Sequence, residues 1–155
     1  DRDRKLIFGY SCFCGSWTSL HAELRAILFG VRLCVAQGLH GLHIESDSLS
    51  LVRILQWSQS CPWRLQQEMS ELINYKPYFT EITHCYREAN KPADCLANMG
   101  ADSEQERVFT NLSALPCNVQ GELALERVGF PNFRRRWGRW ALYACMLSFA
   151  CSQVQ

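Results

Sequence analysis

The sequence lacks several features that would place it in a specialised class. Among its nine cysteines there is no Cys-x-x-Cys pair, and no second Cys/His pair stands at zinc-finger spacing, so no structural zinc site is predicted. No apolar run approaches the roughly 20 residues that cross a bilayer, and the apolar C-terminal stretch "WGRWALYACMLSFACSQVQ" is too short. No N-terminal secretory segment is present, and the cysteine number is odd. We therefore expect reduced thiols and an intracellular location, nuclear or cytoplasmic, without a membrane partner.

The sequence also has almost no net charge. Lys and Arg number 16 and Asp and Glu 15, which gives a formal charge of +1. No broad basic field is available to attract nucleic acid, so any such contact must come from a local surface. In "FRRRWGRW" (133–140), four arginines interleave with Trp137 and Trp140. That pattern fits either a solvated tail or an accessory segment for phosphate contact and base stacking.

What the sequence does contain is the composition of one globular domain. Its 155 residues are 48% hydrophobic and 20% charged, which is enough apolar material for a core. Hydrophobic periodicity is clear up to about Gly100 and weakens afterwards. We predict a domain over residues 1–104 and a C-terminal extension over 105–155.

The periodicity within that domain predicts an α/β fold. From Leu20 to Gln37, apolar residues recur at helical spacing and stop at Gly38. The order strand, helix, strand, helix, helix, strand, helix indicates some parallel strand pairing. The predicted strands are 5–14, 41–47 and 77–86; the predicted helices are 20–37, 48–57, 63–75 and one that begins after Asn90 and stops at Gly100.

Three acidic residues stand at element ends or on helix faces, and each has two interpretations. Glu23, in the first turn of the long helix, is either a surface residue that stabilises the helix dipole or a site residue. Asp47 follows a strand, where it can cap the next helix or contribute to a ligand site at the carboxyl end of a sheet. Asp94, on the last helix, either faces solvent or joins the same site.

Taken together, the three carboxylates suggest a metal site. One on a helix, one at a strand end and one on a later helix can converge above a sheet, and their mutual repulsion then requires a divalent cation. Oxygen ligands suit Mg²⁺ or Mn²⁺ better than zinc. Two such ions about 3.5–4 Å apart can clamp the attacking and leaving oxygens of a phosphodiester.

Three stretches carry a resemblance to a known family. "AELRAILFGVRLCVAQGL" (22–39), "IESDSLSLV" (44–52) and "THCYREANKPADCLANMG" (83–100) resemble the ribonuclease H superfamily, most closely the retrotransposon-derived, reverse-transcriptase-associated type abundant in plants. The resemblance covers roughly residues 1–100. It implies a mixed five-stranded sheet with flanking helices and cleavage of RNA in RNA·DNA hybrids. It also implies two magnesium ions held by four acidic residues.

The resemblance assigns catalytic roles to individual residues. Glu23, Asp47 and Asp94 match the second, third and fourth metal-binding acids of the family. His84 matches a histidine that assists proton transfer or product release.

A second group matches positions near the nucleic acid. Thr18 and Ser19 fall where the family contacts the hybrid backbone. Asn90, the expected cap of the last helix, joins this nucleic-acid-binding group.

One departure from the family pattern is substantial. The family's first acid lies on the first strand in an Asp-Gly stretch, and this sequence has no such stretch. Asp1 and Asp3 match turn residues, so we do not interpret them as ligands. We expect a ribonuclease H-like sheet that lacks the first strand and most of the second. Two functions stay open: a metal-dependent hybrid ribonuclease with impaired activity, and an inactive relic or nucleic-acid-binding module.

Overall fold

The computed structural model describes residues 6–15 and 18–128. Asp1, Asp3, "FRRRWGRW" and the apolar C-terminal stretch lie outside these residues, so the predictions on them and on the incomplete N-terminus stay predictions. The predicted element order is confirmed up to residue 103, and with it the α/β class. The elements are β1 (Gly9–Ser11), α1 (Ser19–Ala36), β2 (Leu42–Ser46), α2 (Leu49–Leu55), α3 (Gln66–Asn74), β3 (Phe79–His84), α4 (Lys91–Ser103), β4 (Arg107–Phe109) and α5 (Cys117–Val128).

Helix α1 is the central element of the core. Thr18 caps it: the Thr18 hydroxyl accepts a hydrogen bond from the backbone N–H of His21, at 3.4 Å. Gly38 follows the helix with φ +73°, a conformation that glycine adopts without strain. The predicted apolar stripe is confirmed, and its inner side chains pack against β2, α2 and α3. The cluster includes Leu24, Ile27, Val31, Cys34, Leu42, Ile44, Leu51, Ile54, Met69 and Leu72.

The strands of the described residues form two small sheets. Strands β2 and β3 pair in parallel, as predicted, with α2 and α3 in the connection between them. Ser46 lies opposite His84, so both strands end at the same edge. Strand β1 pairs antiparallel with β4, where Gly9 lies opposite Phe109. The carboxyl end of the parallel pair therefore places Asp47 and His84 on one side of the domain.

Residues beyond 104 pack onto the domain. Strand β4 forms a two-stranded antiparallel sheet with β1. Helix α5 packs on α4 through a second apolar cluster of Leu96, Ala97, Leu115 and Val119. The domain boundary at 104 stays a prediction. Over the described residues, no helix has both the length and the hydropathy that a membrane span requires.

Two predicted boundaries are wrong. The first strand covers only Gly9–Ser11, shorter than the predicted 5–14. The last helix does not stop at Gly100 but continues to Ser103, and Glu104 ends it with φ 51°. Gly100 lies inside the helix for a packing reason: a Cβ there would stand 3.0 Å from the carbonyl oxygen of Cys12.

Substitution of Gly100 by alanine is expected to destabilise the protein by about 1–2 kcal/mol. The added methyl group would press on the carbonyl oxygen of Cys12, and displacing a backbone atom costs more than displacing the end of a flexible side chain. Gly121 on α5 is the matched control, because no atom would lie within 4 Å of a Cβ added there. Gly121→Ala should stabilise by roughly 0.5–1 kcal/mol through helix propensity. Urea unfolding of both variants measures the two effects; equal stabilisation by both would contradict the close contact.

Candidate metal and nucleic-acid site

Glu23 is a buried carboxyl group, not a surface residue. It is the fifth residue of α1, which begins one residue earlier than predicted, and it is 8% exposed. Burial raises the pKa of Glu23 to about 7, and the nearby charge of Asp47 adds to the rise. A hydrogen bond with Ser48 and the charge of Arg87 partly offset it. The interpretation of Glu23 as an exposed dipole-stabilising residue is therefore wrong.

Asp47 does not cap helix α2, which was the alternative interpretation of this residue. Helix α2 begins at Leu49, and its N-cap is Ser48, whose hydroxyl accepts a hydrogen bond from the Leu51 N–H at 3.4 Å. The half-buried Asp47 carboxylate follows β2 directly. Its negative charge raises the pKa values of both Glu23 and Asp94. Asp47 is thus the group through which the three carboxylates are electrostatically coupled.

Asp94 lies in the first turn of α4, and the interpretation as a solvent-facing residue is wrong. Its side chain is 21% exposed, and its Oδ2 lies 3.5 Å from Nε of Arg87. Desolvation raises the pKa of Asp94 to about 6, Arg87 lowers it, and Asp47 raises it further. Asp94 therefore shares one charged neighbourhood with Asp47 and Arg87.

Two carboxylate oxygens in this neighbourhood are buried without a hydrogen-bond partner, Oε2 of Glu23 and Oδ1 of Asp94. An unsatisfied buried acceptor costs about 1–3 kcal/mol, more when it is charged. A divalent cation with oxygen ligands would satisfy both atoms, so the donor set fits magnesium or manganese. Among the described residues, however, no three His, Cys, Asp or Glu side chains are grouped closely enough to hold a metal ion.

His84 lies at the edge that Asp47 shares. It is the last residue of β3, is exposed, and stands in edge contact with the ring of Tyr86, with 6.0 Å between centroids. Its backbone lies opposite Ser46, the residue before Asp47. An exposed imidazole at this position can exchange protons with a bound ligand, and the catalytic role of His84 stays a prediction.

The predicted nucleic-acid-binding residues divide into exposed and buried positions. Thr18 and Ser19 are exposed at the start of α1, although the Thr18 hydroxyl is engaged in capping. Asn90 stands at the N-cap position of α4, as predicted, although its side chain makes no capping hydrogen bond. Asn90 is also only 4% exposed, which leaves little surface for a ligand. Their contact with nucleic acid stays a prediction.

Sequence reasoning missed two neighbours of the carboxylates. Arg87 pairs with Asp94 and lowers the pKa values of Asp94 and Glu23, and Ser48 hydrogen-bonds with Glu23. Arg87 stands inside "REANKPAD", seven residues before Asp94, and an arginine so close to a predicted acidic site is a usable signal. The signal for Ser48 is weaker, because Asp47 and Ser48 both have side chains that can cap the helix that follows them.

A comparison with known families identifies the family to which the chain belongs. The reverse transcriptase-like family matches residues 2–100, well over half of the chain. The match includes Glu23, Asp47, His84 and Asp94. No curated protein and no solved structure matches the chain. The chain therefore belongs to the reverse transcriptase-like family, and residues 2–100 constitute a ribonuclease H-like domain.

Proposed function

We propose that the domain binds RNA·DNA hybrid, that Glu23, Asp47 and Asp94 close around Mg²⁺ or Mn²⁺ when the ion binds, and that these 155 residues by themselves cleave the RNA strand poorly. The observation that carries this proposal is the pair of buried oxygens, Oε2 of Glu23 and Oδ1 of Asp94, that have no hydrogen-bond partner. Family membership supports a nuclease-type domain that acts on nucleic acid. Hybrid recognition would read the A-form shape and the 2′-hydroxyl groups, with little sequence preference.

The electrostatics explain why a cation belongs beside these groups. Without one, burial and the Asp47 charge raise the pKa values of both Glu23 and Asp94. A divalent cation would hold all three groups ionised, because an adjacent positive charge favours the charged form of a carboxyl. When bound, the metal would supply charge stabilisation for a phosphodiester under attack. His84, at the exposed edge, would hold or release a proton there.

Slow cleavage by these 155 residues taken alone is expected from the number of ligands that they supply. A two-ion site must hold two cations close together against their repulsion, which requires several negative oxygens. The sequence matches three of the family's four acids and has no Asp-Gly stretch for the first. Magnesium retains several waters and tolerates little misplacement of its ligands. Three carboxylates are therefore expected to bind one ion weakly.

A second candidate is a nucleic-acid-binding module without catalysis. One specific contact favours it: Nε of Arg87, 3.5 Å from Oδ2 of Asp94, already supplies a positive charge to this carboxylate. In such a module Arg87 takes the place of the metal as the counter-charge, and hybrid binding does not depend on magnesium.

The experiment that separates the two candidates measures hybrid affinity by fluorescence anisotropy, with magnesium and with a chelator. For the metal-binding site we expect magnesium to tighten hybrid binding of the native chain. We expect Asp94→Asn to reduce that gain roughly tenfold. Asp102→Asn is the matched control, because Asp102 is an exposed aspartate on the same helix. Equal affinity with magnesium and chelator favours the binding module, and no hybrid binding in either buffer contradicts both candidates.

A further inference from the structure

Two cysteines meet in the segment between β1 and α1. Cys12 and Cys14 are separated by Phe13, and their Sγ atoms lie 3.7 Å apart. Neither takes part in a disulfide. Residues 12–15 belong to neither a strand nor a helix, and Gly15 has φ 70°. The pair therefore sits in backbone that no regular hydrogen-bond ladder holds in place.

A cavity gives small molecules access to this pair. Its volume is about 180 Å³, and both cysteines line it together with residues of α1 and α3 and the loop before β4. The polar residues of its wall include Arg25, Arg32, Glu68 and Glu106. Cys12 is half-buried and Cys14 is 9% exposed, so the cavity is the route by which a reagent would reach Cys14.

The two thiols are chemically unequal. The hydrogen bond from Cys12 lowers the pKa of Cys14, and the same interaction raises the pKa of Cys12. The charge of Arg25 lowers the pKa values of both thiols, whereas Glu106 raises them. In its neutral form Cys14 donates to the carbonyl oxygen of Ala22 at 3.7 Å. On ionisation it gives up that bond and accepts one from Cys12. Because the thiolate is the reactive form, the lowered pKa favours Cys14 as the nucleophile of the pair.

We propose that Cys12 and Cys14 form a reversible redox pair, oxidised to an intramolecular disulfide by a peroxide and reduced again by a dithiol. The Cys14 thiolate attacks one peroxide oxygen, the O–O bond breaks, and hydroxide leaves as the sulfenic acid forms. The Cys12 sulfur then loses its proton and attacks the Cys14 sulfur; the S–O bond breaks and the S–S bond forms. The two thiols supply two electrons and two protons, and the peroxide becomes two waters.

The geometry permits this closure with a local movement. A disulfide requires a sulfur separation of about 2.05 Å, so the two Sγ atoms must approach by roughly 1.6 Å. The movement would act on two helices, because the Cys12 carbonyl packs against Gly100 of α4 and Cys14 contacts the backbone of Ala22 on α1. These are the helices that carry Asp94 and Glu23. Oxidation would therefore change the packing between the two sides of the candidate metal site.

The test is a mass measurement on the full chain. Protein treated with hydrogen peroxide or with dithiothreitol is alkylated with N-ethylmaleimide and digested with trypsin. Residues 6–25 form one tryptic peptide, whose cysteines are Cys12 and Cys14 alone. After peroxide we expect this peptide to be two hydrogens lighter than its reduced form and to carry no maleimide. After dithiothreitol it should carry two. A doubly alkylated peptide after peroxide, or one cross-linked to another cysteine, would overturn the proposal.

Single variants identify the nucleophile. In Cys12→Ser, Cys14 cannot close the disulfide, so its sulfenic acid should accumulate and be trapped by dimedone. In Cys14→Ser, labelling of Cys12 should fall at least tenfold. Cys34 is the internal control, because it is buried in α1 and burial raises its pKa to about 12. Dimedone labelling of Cys34 equal to that of Cys14 would overturn the proposal. The mass measurement on the native chain stands even if a variant folds poorly.

Discussion

Glu23→Gln is expected to stabilise the metal-free protein at pH 8 by about 2 kcal/mol. The pKa of Glu23 in the folded protein, about 7, is above the ordinary value of 4.5. The folded state therefore binds this proton more tightly than the unfolded chain does. The stability that the group contributes is complete below about pH 4.5 and is lost as the pH rises through 7. Glutamine stays neutral, so the variant retains that stability at alkaline pH.

Urea unfolding at pH 5 and pH 8, in the presence of a chelator, measures this difference. The native chain should lose more stability than Glu23→Gln between the two pH values. A residual slope in the variant is expected because the pKa of Asp94 is also raised, to about 6. Asp102→Asn controls for the change in net charge, since Asp102 is exposed. Equal losses in the native chain and in Glu23→Gln would show that the Glu23 carboxyl is not desolvated.

Magnesium should stabilise the native chain but not Glu23→Gln. A cation that binds the folded protein but not the unfolded chain stabilises the folded state by RT ln(1 + [Mg²⁺]/Kd). If Glu23 is a ligand, addition of magnesium at pH 8 raises the unfolding free energy of the native chain and of Asp102→Asn, but not that of Glu23→Gln. The variant would then be the more stable protein without metal and the less responsive one with it. A magnesium response that survives in Glu23→Gln contradicts the assignment.

A strand that carries an aspartate, joined ahead of residue 1, is expected to raise magnesium-dependent cleavage of RNA·DNA hybrid by about 100-fold over the 155-residue chain. The physical reason is the ligand count: a fourth carboxylate beside Asp47 would let two ions share the site. In the joined protein, Asp47→Asn should abolish cleavage, whereas His84→Ala should only slow it. This prediction rests on the proposed function.

The assay compares hybrid cleavage with and without magnesium, and the matched control is the same added strand with asparagine in place of its aspartate. Cleavage that is no faster with the aspartate than with the asparagine would contradict the ligand-count argument. Robust turnover by the 155-residue chain that survives Asp47→Asn would place the site elsewhere. Turnover by that chain that is lost on Asp47→Asn would keep the site and show that another residue supplies the fourth ligand.

Local patterns sufficed to predict the elements but not where they end. The apolar stripe of α1 and the glycine after it follow from helical spacing, and both are confirmed. Gly100 has the sequence signature of a helix stop, yet α4 passes through it. The reason is tertiary: the backbone of Cys12 approaches so closely that a Cβ has no room. From the sequence alone, a glycine that ends a helix cannot be distinguished from a glycine that lets another segment of backbone pack closely against the helix.

The candidate site, too, was predicted only in part from the sequence. Positions at element ends and on helix faces, together with the family resemblance, selected Glu23, Asp47 and Asp94. The pairing of β2 with β3 places Asp47 and His84 at one edge. Each carboxylate kept a second interpretation, since dipole stabilisation, capping and solvent exposure use the same residue types at the same positions. The sequence could not reveal that Ser48 caps α2 in place of Asp47, or that Arg87 reaches Asp94.

By itself, then, the sequence determined the α/β class and the order of elements, and it selected three acidic residues as candidates for a site. Only the tertiary structure decided how those residues are charged. Burial raises the pKa values of Glu23 and Asp94, and Asp47 and Arg87 act on both from other elements. The proximity of the two thiols, Cys12 and Cys14, is likewise a matter of backbone conformation. Hydrophobic periodicity is a local property, whereas desolvation and charge coupling depend on distances between residues that are far apart in the chain.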